Sequence, residues 1–321
     1  MKAGINPGRA ELINPFRFPT KANWQSLYRN RPKWTRPPAW VFDQYPPRPV
    51  IIDKSYALVQ TPPHPPVIAI VTPTLNQARF LAATIDSVLS QNYPNLSYHV
   101  QDGGSTDETT EVLASYGTRL SWRTERDSGQ ANAINRAFAR NDCEIMAYLN
   151  GDDVLLPGTL AYVARFFAER PNIDLVYGNR IFIDSSGNEI GRAVLPQHDD
   201  KALSWGAYVP QETLFWRHRV MAAIGPFDET FDYALDWDFM LRASAAGFKF
   251  FHVPRFLACF RVHPGQKTQK NRDLGLREVQ RLRQQYLGHI PTRSEVALGL
   301  LPYLLRQFMV HWMYKCGISR L

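Results

Sequence analysis

The chain has 321 residues, 45% of them apolar, with a formal charge of +8. That is enough chain for one large domain with a full core, and no run of about 18 apolar residues offers a membrane span. Charge is segregated: residues 1–66 carry +7, 67–260 carry −7 and 261–321 carry +8. No helix-turn-helix, finger or ribonucleoprotein motif accompanies the basic ends, so nucleic acid is not the expected partner and an anionic membrane surface or a protein is. Cys143, Cys259 and Cys316 match no metal or redox spacing and read as reduced thiols of a cytoplasmic protein. Residues 1–9 lack the apolar stretch of a signal peptide.

Residues 1–66 hold 13 of the 24 prolines, and pairs such as Pro37-Pro38 and Pro65-Pro66 fix extended backbone. Six aromatic residues (Phe16, Phe18, Trp24, Trp34, Trp40 and Phe42) argue against a free linker. The expectation is an arm laid along the core or, second, a segment that docks a partner. At Val67 the character changes. Val67-Ile68-Ala69-Ile70-Val71 reads as a buried strand ended by Thr72-Pro73-Thr74. A helix follows over 78–91, with Phe80, Leu81, Ile85, Val88 and Leu89 on one side. Strands are expected at 98–100, 119–123 and 144–149, and helices at 106–116 and 129–140. Such alternation predicts an α/β domain, a Rossmann-like and mostly parallel sheet flanked by helices. Ligands of such sheets bind beyond the carboxyl ends of the strands, and the polar clusters of this chain fall there.

Asn150-Gly151-Asp152-Asp153 follows a strand. Adjacent carboxylates there suit a hard divalent cation, Mn2+ or Mg2+, bridging substrate phosphates, although these residue types also make ordinary turns. In Asp102-Gly103-Gly104-Ser105-Thr106-Asp107 the glycines let backbone approach a ligand and Asp102 is placed to accept from a base or ribose, while Ser105 or Thr106 also suits a helix cap. Asp127-Ser128-Gly129-Gln130 leads into a helix that puts Asn132, Asn135 and Arg136 on one face, functional or merely solvated. Asp236-Trp237-Asp238 opens another helix, where a carboxylate serves as general base or as a cap. Arg261-Val262-His263 ends a short apolar run.

Taken together, the order and spacing of Pro73-Thr74-Leu75-Asn76, Asp102 to Asp107, Asp127-x-Gly-Gln-x-x-Ala-x-Asn135, Asn150-x-Asp-Asp153, Asp236-x-Asp-x-x-x-Arg242 and Arg261-x-His263 resemble the family 2 glycosyltransferases over about residues 67–265. The resemblance implies the GT-A fold, an inverting enzyme, and a nucleotide-sugar donor, most commonly a UDP-sugar. By position it implies that Pro73, Thr74, Asn76, Asp102, Asp127, Asn135, Asn150 and Asp152 bind the nucleotide. Asp152, Asp153 and His263 fall at the metal, and Asp236 at the catalytic aspartate. The first residue of the family's Asp-x-Asp is Asn150 here, an amide that binds a hydroxyl or a metal without bringing charge. Leu235 stands where many relatives carry an acid, which leaves Asp236 as the base.

The expected reaction is an in-line displacement at the anomeric carbon, driven by positioning and charge stabilisation. The acceptor is a saccharide or lipid-linked hydroxyl, as in polysaccharide or glycolipid synthesis. Trp205, Tyr208, Gln211 and Glu212 are the expected acceptor contacts, core packing being the other reading of the two aromatics. The chain divides into an arm (1–66), a catalytic domain (67–265) and a basic helical tail (266–321). In the tail, Thr292-Arg-Ser-Glu295 resembles a capping box, and the apolar run 296–314 is expected to kink or restart at Pro302. That run packs on the domain or lies in a membrane interface, the latter placing the protein at the inner face of the membrane. Two rivals remain. One is a catalytically silent sugar-nucleotide-binding scaffold, which the presence of Asp152, Asp153 and Asp236 disfavours. The other is a nucleotidyltransferase, which would need a Gly-rich basic loop that Leu75-Asn76-Gln77-Ala78 is not.

Overall fold

The computed structural model describes residues 43–139, 143–267 and 272–318; Phe16, Phe18, Trp24, Trp34, Trp40 and Phe42 of the arm lie outside them. The strongest apolar run becomes β2 (Ile68–Thr74), buried at every position. It pairs in parallel with β3 (Leu96–Asp102) and β5 (Ile145–Tyr148), and β3 pairs in parallel with β4 (Ser121–Thr124). Helices α1 (Ala78–Leu89), α2 (Thr109–Ser115) and α3 (Gln130–Phe138) make the crossovers. This half of the sheet is the expected Rossmann-like unit. Helix α2 starts three residues later than the pattern predicts. Asp107 is the reason: its Oδ1 accepts from Thr109 N at 3.1 Å, and its Oδ2 accepts from Ala78 N, 3.1 Å away, at the head of α1. One carboxylate thereby opens two helices.

The other half is mixed rather than parallel. After β6 (Val154–Leu155) and α4 (Thr159–Glu169) come β7 (Leu175–Ile183) and β8 (Glu189–Ala193), an antiparallel pair. Their loop turns where Gly187 takes φ +83°, closed by Asp184 N to Asn188 O at 2.8 Å, the left-handed position such a tight loop needs. Helix α5 (Asp200–Trp205) leads to β9 (Phe215–Arg217), which runs antiparallel to both β5 and β7 and so joins the two halves. Helices α6 (His218–Ile224) and α7 (Leu235–Ala245) precede β10 (Phe250–Arg261), parallel to β7 and antiparallel to β6. The ten-stranded sheet is completed at one edge by β1 (Asp43–Arg48), antiparallel to β8.

Strand β1 draws the end of the proline-rich arm into the sheet. It is held by Glu189, which is fully buried and takes bonds from Tyr45, from Arg48 at 2.9 Å and from Arg192 at 2.7 Å. Burial alone would raise this carboxyl, but the bonds from Arg192, Tyr45 and Arg48 outweigh it and hold Glu189 below the usual range. Arg192 also reaches Ile51 O at 2.7 Å and Tyr314 Oη at 2.9 Å. It thus ties the arm's end to the tail. Around that point Tyr56, Ile181, Val194 and Phe256 form a second small core, with Val50, Ile52, Val310 and Tyr314 packed against it.

The tail forms α8 (Arg272–Leu287) and α9 (Arg293–Lys315). Thr292 and Glu295 make the expected capping box. The helix does not restart at Pro302: α9 runs through it. Pro302 lies on the exposed side, where the carbonyl that loses its amide partner meets water instead. Leu300, Tyr303, Gln307 and His311 face inward, whereas Leu298 (68% exposed), Leu305 (61%), Phe308 (54%) and Trp312 (53%) face out. Among the described residues no helix is long and apolar enough to cross a membrane.

Candidate active site

The carboxyl ends of β2, β3, β4 and β5 form one rim, because the register sets Thr74 beside Asp102 and Asp102 beside Thr124. Pro73 and Thr74 end β2. Asn76 sits in left-handed backbone, φ +53°, where a short amide side chain is tolerated. Its Oδ1 accepts from Thr106 N at 2.8 Å while its own N donates to Ser105 Oγ at 2.7 Å, so Asn76 stitches two rim loops together. Asp102 is fully buried. Its Oδ2 accepts from Gly104 N at 3.2 Å and Ser105 N at 3.0 Å, and Ser105 Oγ donates to Oδ1. In this conformation Asp102 shapes its own loop. Asp127 is half-buried and accepts from Gly129 N at 3.0 Å; burial pushes its carboxyl upward. A Cβ on Gly103 would lie 2.6 Å from Asp127 Oδ2, so any larger residue there would displace the Asp127 carboxylate.

Asn135 does not face the rim. Its Nδ2 donates to Phe227 O at 2.9 Å and its Oδ1 accepts from Phe227 N at 2.9 Å. Asn132 donates to Glu229 at 2.9 Å. Asn132 and Asn135 thus clamp the loop after Gly225-Pro226, whereas Arg136 on the same face donates to Arg126 O at 3.1 Å.

The acidic loop after β5 divides its two carboxylates. Asp152 Oδ2 lies 2.9 Å from His263 Nε2, and the His263 ring rests on Phe80, with centroids 4.5 Å apart. Asp153 points inward. Its Oδ1 accepts from Arg261 N at 3.0 Å, and its Oδ2 is 3.4 Å from Asn150 Nδ2. Burial first, then Asp152 and Glu212, push the Asp153 carboxyl well above the usual range. Arg261, itself buried, donates to Asp152 O at 2.8 Å and Asp184 O at 3.1 Å. Among the described residues no three His, Cys, Asp or Glu side chains converge as a ready metal cage. The Asp152–His263 pair still fits a divalent cation. Two atoms 2.9 Å apart have the separation of adjacent ligands around an octahedral ion with bonds of about 2.1 Å; the carboxylate oxygen suits manganese or magnesium, and the imidazole nitrogen favours manganese over the harder magnesium. Asp153, expected as a third ligand, has both oxygens turned to protein partners.

Asn150 is held on both sides of its amide. Gln130 Nε2 donates to its Oδ1 at 2.7 Å, and its Nδ2 donates to Gln211 Oε1 at 3.1 Å. Gln211 in turn donates to Tyr148 O at 2.7 Å. Glu212 is buried and paired with Arg180 at 2.6 Å, and its other oxygen, Oε1, has no protein partner. Trp205 is elsewhere: a Cβ on Gly299 would lie 2.3 Å from its ring, so the indole is taken up by α9. Tyr208 stacks on Tyr303 of α9, centroids 4.1 Å apart, and donates to Asp199 O at 3.0 Å. For these two aromatics the packing reading holds.

Asp236 stands in the first turn of α7, half-buried, its Oδ1 accepting from Trp237 N at 2.8 Å. Burial pushes its carboxyl up to about 6, with Arg180 pulling down and Glu212 pushing up. Since Arg180 and Glu212 also act on Asp153, Asp236 and the acidic loop share one electrostatic neighbourhood. Arg180, Gln130 and Lys267 were not singled out for roles by the sequence. Lys267 pairs with Asp232 and lies 3.3 Å from Gln130 Oε1. Arg180 had a readable signal, a charge inside an otherwise apolar strand; Lys267 had none.

A Rossmann-like half-sheet with acids on successive loops of its carboxyl rim, and a further acid opening a helix beside them, places a polar ligand site beyond the strand ends; its chemistry has to be read from the site and the family. Comparison with known proteins names the family. Residues 69–227 match the model for Glycosyl transferase family 2, and the chain belongs to that family. The PGL/p-HBAD biosynthesis glycosyltransferase of Mycobacterium bovis BCG is 32% identical over 182 residues, 55% of this chain and 69% of that protein. Among solved structures, S. aureus TarS 1–349 in complex with UDP-GlcNAc superposes with a TM-score of 0.58 at 18% identity, covering 76% of this chain and 73% of that one. A longer TarS chain is covered over only 43% of its length. The mannosyltransferase PcManGT from Pyrobaculum calidifontis, in complex with GDP-Man and Mn2+, gives a TM-score of 0.50 at 18% identity, covering 78% and 72%. The fold is GT-A and the protein is a glycosyltransferase.

Proposed function

We propose that this glycosyltransferase moves a sugar from a nucleoside diphosphate donor, a UDP-sugar, to a hydroxyl of a saccharide or lipid-linked acceptor, with inversion. The observation that carries the reading is Asp236: a half-buried carboxyl raised to about 6 and held at a helix start in the electrostatic neighbourhood of the acidic loop. A base with that affinity for protons is ionised near neutrality yet still accepts a proton from an attacking hydroxyl. Pro73, Thr74, Asn76, Asp102 and Asp127 form the rim on which the nucleotide lies, with Asn76 and Asp102 keeping the loops in shape. Asp152 and His263 would hold a divalent cation whose charge offsets that of the departing diphosphate. Glu212, with one oxygen unpartnered, and Gln211 line the acceptor side. Asn150 offers an amide where relatives offer charge, and its bonds to Gln130 and Gln211 fix it between donor and acceptor groups.

The outward face of α9 supports a position on an anionic membrane surface, which suits a lipid-linked acceptor. It presents Leu298, Leu305, Phe308 and Trp312 on a tail whose charge is +8 over 261–321, the combination that binds helices in the plane of an interface.

Melting temperature followed with UDP, GDP and dTDP, each with and without Mn2+, tests the function, because a ligand of the folded state alone raises stability with its affinity. Stabilisation by one of them, increased by Mn2+, is the expected result and names the donor's nucleotide. No response to any would return the chain to the silent-scaffold reading.

A further inference from the structure

Helix α7 carries Asp236 but lacks a cap of its own. Its N-cap is Ala234, and no side chain of that residue bonds the helix start. The orphan amides of such an end are those of Ala234, Leu235, Asp236 and Trp237: Trp237 N is taken by Asp236 Oδ1, while Ala234 N and the two amides of the loop before it are taken by the tail. Glu278 of α8, buried to 6% exposure, accepts from Asp232 N at 3.0 Å, Tyr233 N at 2.8 Å and Ala234 N at 2.8 Å. Three consecutive amides thus converge on one carboxylate, two residues before Asp236.

The rest of α8 is shaped for the same loop. Gly275 interrupts a helix, at a cost in helix propensity, and a Cβ there would lie 2.9 Å from Tyr233 Cγ. Its absence lets the ring lie flat on the helix. Arg281, one turn beyond Glu278, donates to Thr230 Oγ1 at 2.9 Å and covers the Phe231 ring at 4.3 Å. On the far side of the loop Asp232 meets Lys267 and lies near Gly129, whose added Cβ would be 3.8 Å from Asp232 Oδ1.

We propose that Glu278 is a positioning residue for Asp236: a carboxylate of the C-terminal tail anchors the loop that enters the base-bearing helix and so sets where that carboxyl stands. The proposal rests on Asp236 being the base. It makes the tail part of the catalytic apparatus, although no residue of α8 touches the reacting atoms.

The test uses the full chain and three variants, Glu278→Gln, Gly275→Ala and Asp236→Asn, with UDP-GlcNAc and GDP-mannose as probes and release of nucleoside diphosphate as readout. Glu278→Gln keeps the shape but has one acceptor oxygen for three amides. Gly275→Ala favours the helix yet pushes it off Tyr233. Both should lower kcat by about 10- to 100-fold, the usual effect of a small displacement of a catalytic group, while KM for the sugar nucleotide stays put. A general loss of structure would move both constants and the melting temperature together. Unchanged kcat in the two tail variants overturns the proposal if Asp236→Asn is inactive. Turnover retained in Asp236→Asn removes instead the reading on which it rests. Hydrogen exchange in the unaltered protein gives an answer independent of activity: the amides of 232–234 should be as protected as those inside α7, and exchange at open-chain rates would refute the anchor.

Discussion

Replacing Asp236 by Asn should abolish sugar transfer and, at the same time, make the protein more stable. The Asn side chain still offers Oδ1 to Trp237 N, so the 2.8 Å bond at the head of α7 survives. What disappears is a carboxylate whose ionisation is opposed by burial, which lifts it to about 6. Relative to an ordinary aspartate near 4, that gap corresponds to about 3 kcal/mol when the group is fully ionised. Solvent still reaches the half-buried side chain, and screening reduces the expected gain to about 1–2 kcal/mol. The sign follows from proton binding. Between about pH 4 and 6 the folded state holds a proton that the unfolded chain has released, so the cost of Asp236 grows over that window, is fully present above it and vanishes below it. Denaturant unfolding of wild type and Asp236→Asn in metal-free buffer, at about pH 8 and about pH 4, measures it. Equal stability at the higher pH would refute the desolvated carboxylate, and a variant that still turns over would refute the base. In wild type the acid limb of the kcat/KM profile should fall as pH drops through about 6.

The Asp152–His263 pair predicts a second result. Asp152→Ala and His263→Ala should each remove the extra stabilisation that Mn2+ adds to nucleoside diphosphate binding, seen as loss of the metal-dependent melting shift; a shift of unaltered size in both would place the metal elsewhere. A third concerns α9. Leu305, Phe308 and Trp312 are more than half exposed, so changing all three to Ser should leave the melting temperature within the small range typical of surface substitutions. Sedimentation with anionic phosphatidylserine vesicles should drop sharply, and undiminished vesicle binding would rule out this face as the contact.

Legibility in the sequence followed the locality of the forces. The buried run of β2, the alternating crossovers to β5 and the rim clusters were readable because each depends on a few neighbouring residues. The mixed half of the sheet was not. Whether β9 lies antiparallel to β5 is decided by contacts between residues some seventy positions apart, and its three residues carry no periodicity. Helix α3 was misjudged in a similar way: Asn132 and Asn135 look like a solvated face until the loop at 227–229 folds over them. Adjacency in the sequence does not say which way Asp152 and Asp153 point; the peptide between them turns one to His263 and the other to the Arg261 amide. Glu278 carried no signal at all, since a single acid on a polar helix is common. Its meaning comes from three amides supplied by a distant loop.

Asn150 shows how a departure from the family pattern is absorbed. Its Nδ2 donates toward Gln211 Oε1 and Asp153 Oδ2, 3.1 and 3.4 Å away, and a carboxylate has no hydrogen to give either. Asn150→Asp would place a further carboxylate beside Asp152 and Asp153, push the already raised Asp153 carboxyl higher still, and set an acceptor against Gln211 Oε1. The variant should therefore be less stable than wild type in metal-free buffer, by about 1–3 kcal/mol for the lost donations. Saturating Mn2+ should recover part of that loss, because a cation between the acids removes the repulsion. The reasoning fails if Asn150→Asp proves as stable as wild type without metal. In that case the amide is a neutral substitution and the bonds around it carry no weight in the site.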